Sequence, residues 1–311
     1  MAIMRQFATI GETISSAQAP GKVSGATEAR GRIVIARYAG ALVRAILVAF
    51  VIAMPSLILP TVSADTGQIV ALIGLFAAAL TFFEYASVYP GLVEFRDAPP
   101  FNRIRYASLL VTVTMLSIVV LARTDGSTLA RFVDVIGAAM ARSIDIPYSP
   151  VRLLVLMLPE TATPAQVEIL RTAGGIAYMT SLVTLGYFVV AIRAAGWPTG
   201  RGSFNVWVNL PTFDPTAGGD VVERLRRDAW FNIALGFLLP FLIPAVIKAI
   251  SASFSPVTLS SPQTLIWTVT AWAFLPASLF MRGIAMGRIA SMIEAKRRAS
   301  SDAAEDHLLP A

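Results

Sequence analysis

The sequence predicts an all-α membrane protein with six transmembrane helices, and three observations carry that prediction. Ala45–Val62 runs for 18 residues without a charge and Ile69–Phe83 for 15 more, with only residues 63–68 between them. Two such runs back to back require a bilayer, because only a helix satisfies its own backbone polar groups in hydrocarbon. Composition agrees: 56% of residues are hydrophobic, 14% are charged and mean hydropathy is +0.68, whereas a soluble domain is about 25% charged. The third observation is that the Lys and Arg residues gather on alternate loops.

Residues 1–37 read as a cytoplasmic N-terminal segment. Ile3, Phe7, Ile10 and Ile14 fall at helical spacing and predict a short amphipathic helix over residues 2–16. Ala17–Ala29, with Pro20, Gly21, Ser24 and Gly25, reads as a flexible linker. The membrane domain then occupies residues 38–281, with spans at about 38–62, 68–89, 106–122, 172–192, 229–247 and 265–281. Pro55, Pro240, Pro244 and Pro276 fall within spans and predict kinks that free backbone carbonyls.

Between spans 3 and 4, Leu129, Phe132, Val133, Ile136 and Met140 repeat at helical spacing. They predict an amphipathic helix lying on the membrane or on the bundle. Val151–Leu158 is apolar but too short to cross, and reads as interfacial or re-entrant. Thr163-Pro164-Ala165-Gln166 has the pattern of a capped helix start. Residues 282–311 read as a basic cytoplasmic helix to about Arg298 followed by a disordered tail.

With the N-terminus inside, the inner segments hold 5, 3, 5 and 5 Lys or Arg residues, 18 in all; the outer ones hold 0, 5 and 1, or 6. This excess places both termini in the cytoplasm. Only three of the 25 basic residues are Lys, a usage that with abundant Ala and Gly points to a GC-rich bacterial genome, and the expected location is the bacterial inner membrane.

Several chemistries are excluded. There is no Cys and one His, His307, in the polar tail, so neither a thiolate centre nor a bis-His haem site can form in this chain. Gly200-Arg201-Gly202-Ser203 lacks the ending of a phosphate-binding loop. Three residues rather than two separate Gly126 from Ala130-Arg131, which breaks the CDP-alcohol phosphatidyltransferase signature. No metal, catalytic residue or cofactor is assigned, and basic residues at membrane edges argue against nucleic acid.

Arg44 and Glu84 lie 20 residues either side of Ala64 and so reach the same depth in a hairpin. They form an ion pair at the inner interface, or snorkel to the headgroups separately. Two inner loops carry Phe95, Arg96, Phe101 and Arg103, and Trp197, Phe204, Trp207 and Phe213. Aromatic and Arg residues on Pro-stiffened loops suit a partner surface, or an aromatic belt. Small residues at Gly74 and Ala78, and at Gly283, Gly287 and Ser291, suit close helix packing. The expected partners are the bilayer, anionic lipid at the inner face, and a protein partner or a second copy of the chain.

The function these features favour is a non-catalytic structural, accessory or assembly subunit binding a partner at the cytoplasmic face. A permease or channel component for a small solute is the alternative. A lipid-acting enzyme using Glu84, Arg96 and Asp97 is the third.

Overall fold

The computed structural model describes residues 20–60, 63–89, 91–124, 126–198, 204–214, 216, 218–253, 259 and 261–306. Their order is α1 (Pro20–Ile58), α2 (Ala64–Ala86), α3 (Phe101–Leu121), α4 (Thr128–Ile144), α5 (Pro150–Leu156), α6 (Pro164–Ala194), α7 (Val206–Asn209), α8 (Val221–Ser253) and α9 (Pro262–Asp306). No strand occurs among the described residues. Six of these helices, α1, α2, α3, α6, α8 and α9, are long and apolar enough to cross a membrane. The fold is that of a six-span helical membrane protein.

Helix boundaries differ from the expected ones, and the outer ends of the first and last helices lie farther out. Residues 20–29, read as a linker, belong to α1, which runs 39 residues without a break. Pro20 sits in the first turn, where its missing N–H costs nothing, and the long span propagates helix through Gly21 and Gly25. The amphipathic helix expected at 2–16 lies outside the described residues. At the other end α9 continues to Asp306, so residues 300–306 of the expected tail are helical. The turn expected at residues 63–68 falls earlier, between Ile58 and Ala64, because α1 ends at Ile58 and Ser63 caps α2 by accepting from Thr66 N at 3.2 Å. The capping box at α6 forms as expected: Gln166 N donates to Thr163 Oγ1 at 3.3 Å and Thr163 N to Gln166 Oε1 at 2.8 Å.

The body of the bundle is α3, α6 and α9, with α8 laid along α9. α1 joins it through α3, where Tyr106 Oη donates to Leu47 O at 3.0 Å. Among the described residues α2 packs chiefly on α1, and Gly74 faces Ala49 and Ile52 across that seam. Ala78, the other small residue there, is half-buried.

Small residues set the α8–α9 distance. A Cβ on Gly283 would stand 2.6 Å from Ala229 O, and one on Gly236 would stand 2.8 Å from Pro276 O. The expected stripe is therefore used unevenly. Gly283 is a tight contact, Gly287 meets only Ala229 Cβ at 3.8 Å, and Ser291 is exposed and donates to Gly287 O of its own helix. The prolines are used as well. Pro244 has no N–H to give the carbonyl four residues earlier, and that carbonyl, Pro240 O, accepts from Trp272 Nε1 at 3.0 Å.

The end of the bundle carrying residues 87–100 and 195–220 is termed the capped end. At the opposite end α5 is buried, with Val151 and Leu154 packed against Leu170, Ala173 and Trp272. Most of Val151–Leu158 thus packs on the core, with Leu156 exposed, and Asp145 ties it to α6 through ion pairs with Arg152 (3.0 Å) and Arg171 (2.7 Å). α4 packs on α6 through Gly137 and Ala141, with Ala130 also buried; of its apolar stripe Val133 packs against the core, whereas Leu129, Phe132, Ile136 and Met140 stay exposed.

Candidate functional site

The capped end ties its charged groups to the loop backbone and to α9. Residues 87–98 fold back over the C-terminus of α2. Glu84 accepts from Leu92 N at 2.6 Å and Val93 N at 2.9 Å. Arg96 reaches the other way and donates to Ser87 O at 2.9 Å and Glu84 O at 3.1 Å. A helix C-terminus leaves such carbonyls unsatisfied, and here an arginine closes it.

The fold-back brings Phe95 into the body, fully buried, with φ +53°. That left-handed conformation costs about 1 kcal/mol for a non-glycine residue. It is held by Phe95 N donating to Asn209 O at 2.7 Å and by ring contacts with Phe101 and Trp197 at 4.3 and 5.9 Å. Phe188 completes the cluster, 5.6 Å from Phe101.

Beneath these rings lies a charged centre. Arg282 Nε and Nη2 donate to Glu94 Oε2 and Oε1 at 2.6 and 2.8 Å, and Thr212 Oγ1 donates to Glu94 Oε1 at 2.7 Å. Burial opposes the charge on Glu94. The hydrogen bonds from Arg282 and Thr212 and the charges of Arg282 and Arg105 outweigh it and hold the carboxyl below its ordinary range. Arg105 donates to Ser278 Oγ at 2.7 Å and lies over the rings of Phe101 and Phe274 at 5.4 and 5.9 Å. It has no carboxylate within ion-pair distance among the described residues. Arg288 Nε donates to Trp197 O at 3.1 Å, and Arg297 pairs with Asp220 at 2.7 Å, so α9 carries the cap past the bundle end.

This arrangement corrects two expectations. Arg44 and Glu84 do reach one level, since Arg44 lies 4.7 Å from the ring of Tyr85, but they are not paired. Arg44 donates to Gly40 O at 2.7 Å and Glu84 is taken by two loop amides, a closer match for a carboxylate than a side chain on the next helix. Nor are the loop aromatics a free partner surface. Phe95, Phe101, Trp197 and Phe213 are buried in the protein's own core and Phe204 is half-buried against Trp197. Two loops that each leave apolar rings at a bundle end bury most by meeting each other. The side chain of Trp207 lies outside the described residues. Arg96 is also buried, and only Arg103 is exposed.

Glu94, Arg105, Arg282 and Asn209 carry the centre, and none of them is among the candidate site residues that the sequence suggests. A signal was present. Arg105 is the last charge before span 3 and Arg282 the first after span 6, so a six-span chain places both at one level with Glu94 between them.

A second feature lies on the flank. α3, α4 and α6 enclose a lateral groove of about 870 Å³, lined almost wholly by apolar side chains. Arg103 stands at its capped end, and Phe132, Ile136 and Met140 of α4 overhang the other end. Ser108 and Thr184, hydrogen-bonded at 3.1 Å, lie between.

Chemically, the capped end is a closed lattice: each of Glu84, Arg96 and Glu94 is committed to fixed partners. Among the described residues no group of three or more His, Cys, Asp or Glu side chains is placed to hold a metal ion. Fold and site together define a multi-pass helical membrane protein with a self-capped end. Compared with protein-family models, curated proteins and solved structures, the chain matches none of them.

Proposed function

We propose that this protein is a non-catalytic accessory subunit of a bacterial inner-membrane assembly and that it meets another membrane protein laterally through the α1–α2 hairpin. The carrying observation is α2. Gly74 marks its seam with α1, and Leu72, Phe76 and Phe83 form a fully turned-out stripe on the opposite side. Helices associate in lipid by close side-chain packing, and a helix hung from one neighbour leaves most of its surface for that purpose. The capped end supports the same reading, because its less exposed charged groups, Glu84, Glu94, Arg96 and Arg282, are spent on holding the fold. The 18-to-6 distribution of basic residues supports a cytoplasmic side for that end and for both termini.

The absence of Cys makes the test clean. Phe76→Cys, labelled with a maleimide photocrosslinker in native membranes, is expected to give one discrete adduct with a different membrane protein. The same probe at Leu242→Cys, on α8, is expected to give none. Indistinguishable products at the two positions would overturn the reading, and an adduct of twice the chain mass would replace it with self-association.

A further inference from the structure

The lateral groove has the features of a built lipid site. α4 docks on α6 through its small residues and so turns Phe132, Ile136 and Met140 over the groove instead of into the bundle. An amphipathic helix packed for burial alone would do the reverse. The groove is open along its side and has a volume of about 870 Å³, within the range of ligand pockets.

Length and charge identify the occupant. Arg103 and Met115 bound the groove along α3, twelve residues apart. That is about 18 Å of helix axis, against about 15 Å for half of the hydrocarbon core. The groove therefore follows one leaflet from headgroup level to just past the bilayer centre. Its polar end carries Arg103, which is exposed and makes no ion pair or side-chain hydrogen bond among the described residues. Every other arginine of the α2–α3 segment is committed: Arg96 to backbone carbonyls and Arg105 to Ser278. A guanidinium at headgroup level above an apolar channel one leaflet deep is complementary to a phosphodiester carrying acyl chains.

We propose that this groove is a resident site for an anionic phospholipid, with its phosphate on Arg103 and one acyl chain running between α3 and α6 to end beneath α4. The site is separate from the α1–α2 hairpin and does not depend on it.

The test is native mass spectrometry of the full chain, delipidated in mild detergent and titrated with phosphatidylglycerol or phosphatidylcholine. The wild-type chain is expected to hold one phosphatidylglycerol at about tenfold lower added lipid than phosphatidylcholine, whose choline cation offsets the phosphate charge and repels the Arg103 guanidinium. Arg103→Gln should bring the two lipids level. Arg193→Gln, another exposed arginine at the capped end that lies off the groove, should change nothing. Ala107→Trp fills the groove from an exposed position and should weaken both lipids. Arg103 is exposed, so its variant keeps the wild-type melting temperature and decides the headgroup half of the proposal alone. Equal uptake of the two lipids by the wild type, an undiminished preference in Arg103→Gln, or unchanged binding in a folded Ala107→Trp would each overturn it.

Discussion

Gly283→Val is expected to open the α8–α9 seam and to lower the melting temperature in detergent by the equivalent of at least about 2 kcal/mol, at the upper side of overpacking costs. The size of the effect follows from what the new side chain meets. Its Cβ would lie 2.6 Å from Ala229 O and 3.0 Å from Ile233 N, both backbone atoms of α8, so no rotamer change relieves the clash. Gly236→Val attacks the same seam from the other helix, 2.8 Å from Pro276 O and 2.9 Å from Phe280 N, and should cost as much. Once one substitution has parted the helices the other has less to disturb, so the double variant should fall short of the sum. Gly74→Ala is the contrast. Its Cβ would meet Ile52 and Ala49 at 3.8–4.0 Å, ordinary contact, and alanine is the better helix former. It is expected to be neutral or stabilising. A melting temperature unchanged in Gly283→Val would show that the seam is not set by backbone approach.

The second large effect belongs to Glu94. Glu94→Ala leaves Arg282 without its bidentate partner and removes the one carboxylate acting on Arg105, in a site mostly closed to water. Breaking one side of such a pair costs about 3 kcal/mol. Arg282→Ala should cost somewhat less, since Thr212 still donates to Glu94 and the arginine is the more exposed partner. The pH dependence has a definite sign. The folded-state pKa of Glu94 lies below its ordinary value of 4.5, so its contribution is complete above that value and fades as pH falls through the folded one. Melting temperature should therefore fall on acidification below about pH 4.5 in the wild type, and less steeply in Glu94→Gln. Parallel acid profiles would mean that the pair does not hold the cap.

How much of this was legible in the chain differs from feature to feature. The six spans were, because uncharged length is a direct reading of the solvent. The equal depth of Arg44 and Glu84 was too, since it follows from residue count and helix rise. Their partners were not. A carboxylate takes the best donors that the tertiary fold brings, and two backbone amides of residues 92 and 93 came from a fold-back that no local signal marks. The aromatic loops show the same limit. Phe, Trp, Asn and Arg on Pro-stiffened segments serve a partner surface and a self-closing cap equally well. Only the second loop's position settles which, as Asn209 receives both Phe95 N and Asp97 N. Gly283 stood out in sequence because it lies in a repeat, whereas its counterpart Gly236 is a lone glycine in a span and meets its neighbour only across the bundle. The α4 stripe was read correctly as amphipathic, but periodicity cannot say that small residues do the docking.

The account rests on α3 carrying the chain from the capped end to the far side of the bilayer. Tyr89 and Tyr148, 82% and 84% exposed, lie on the two sides of that crossing. In the Cys-free chain, a membrane-impermeant maleimide applied to intact cells should label Tyr148→Cys and reach Tyr89→Cys only after the membrane is opened. Labelling of both positions from the same side would contradict the six-span fold and the cap built upon it.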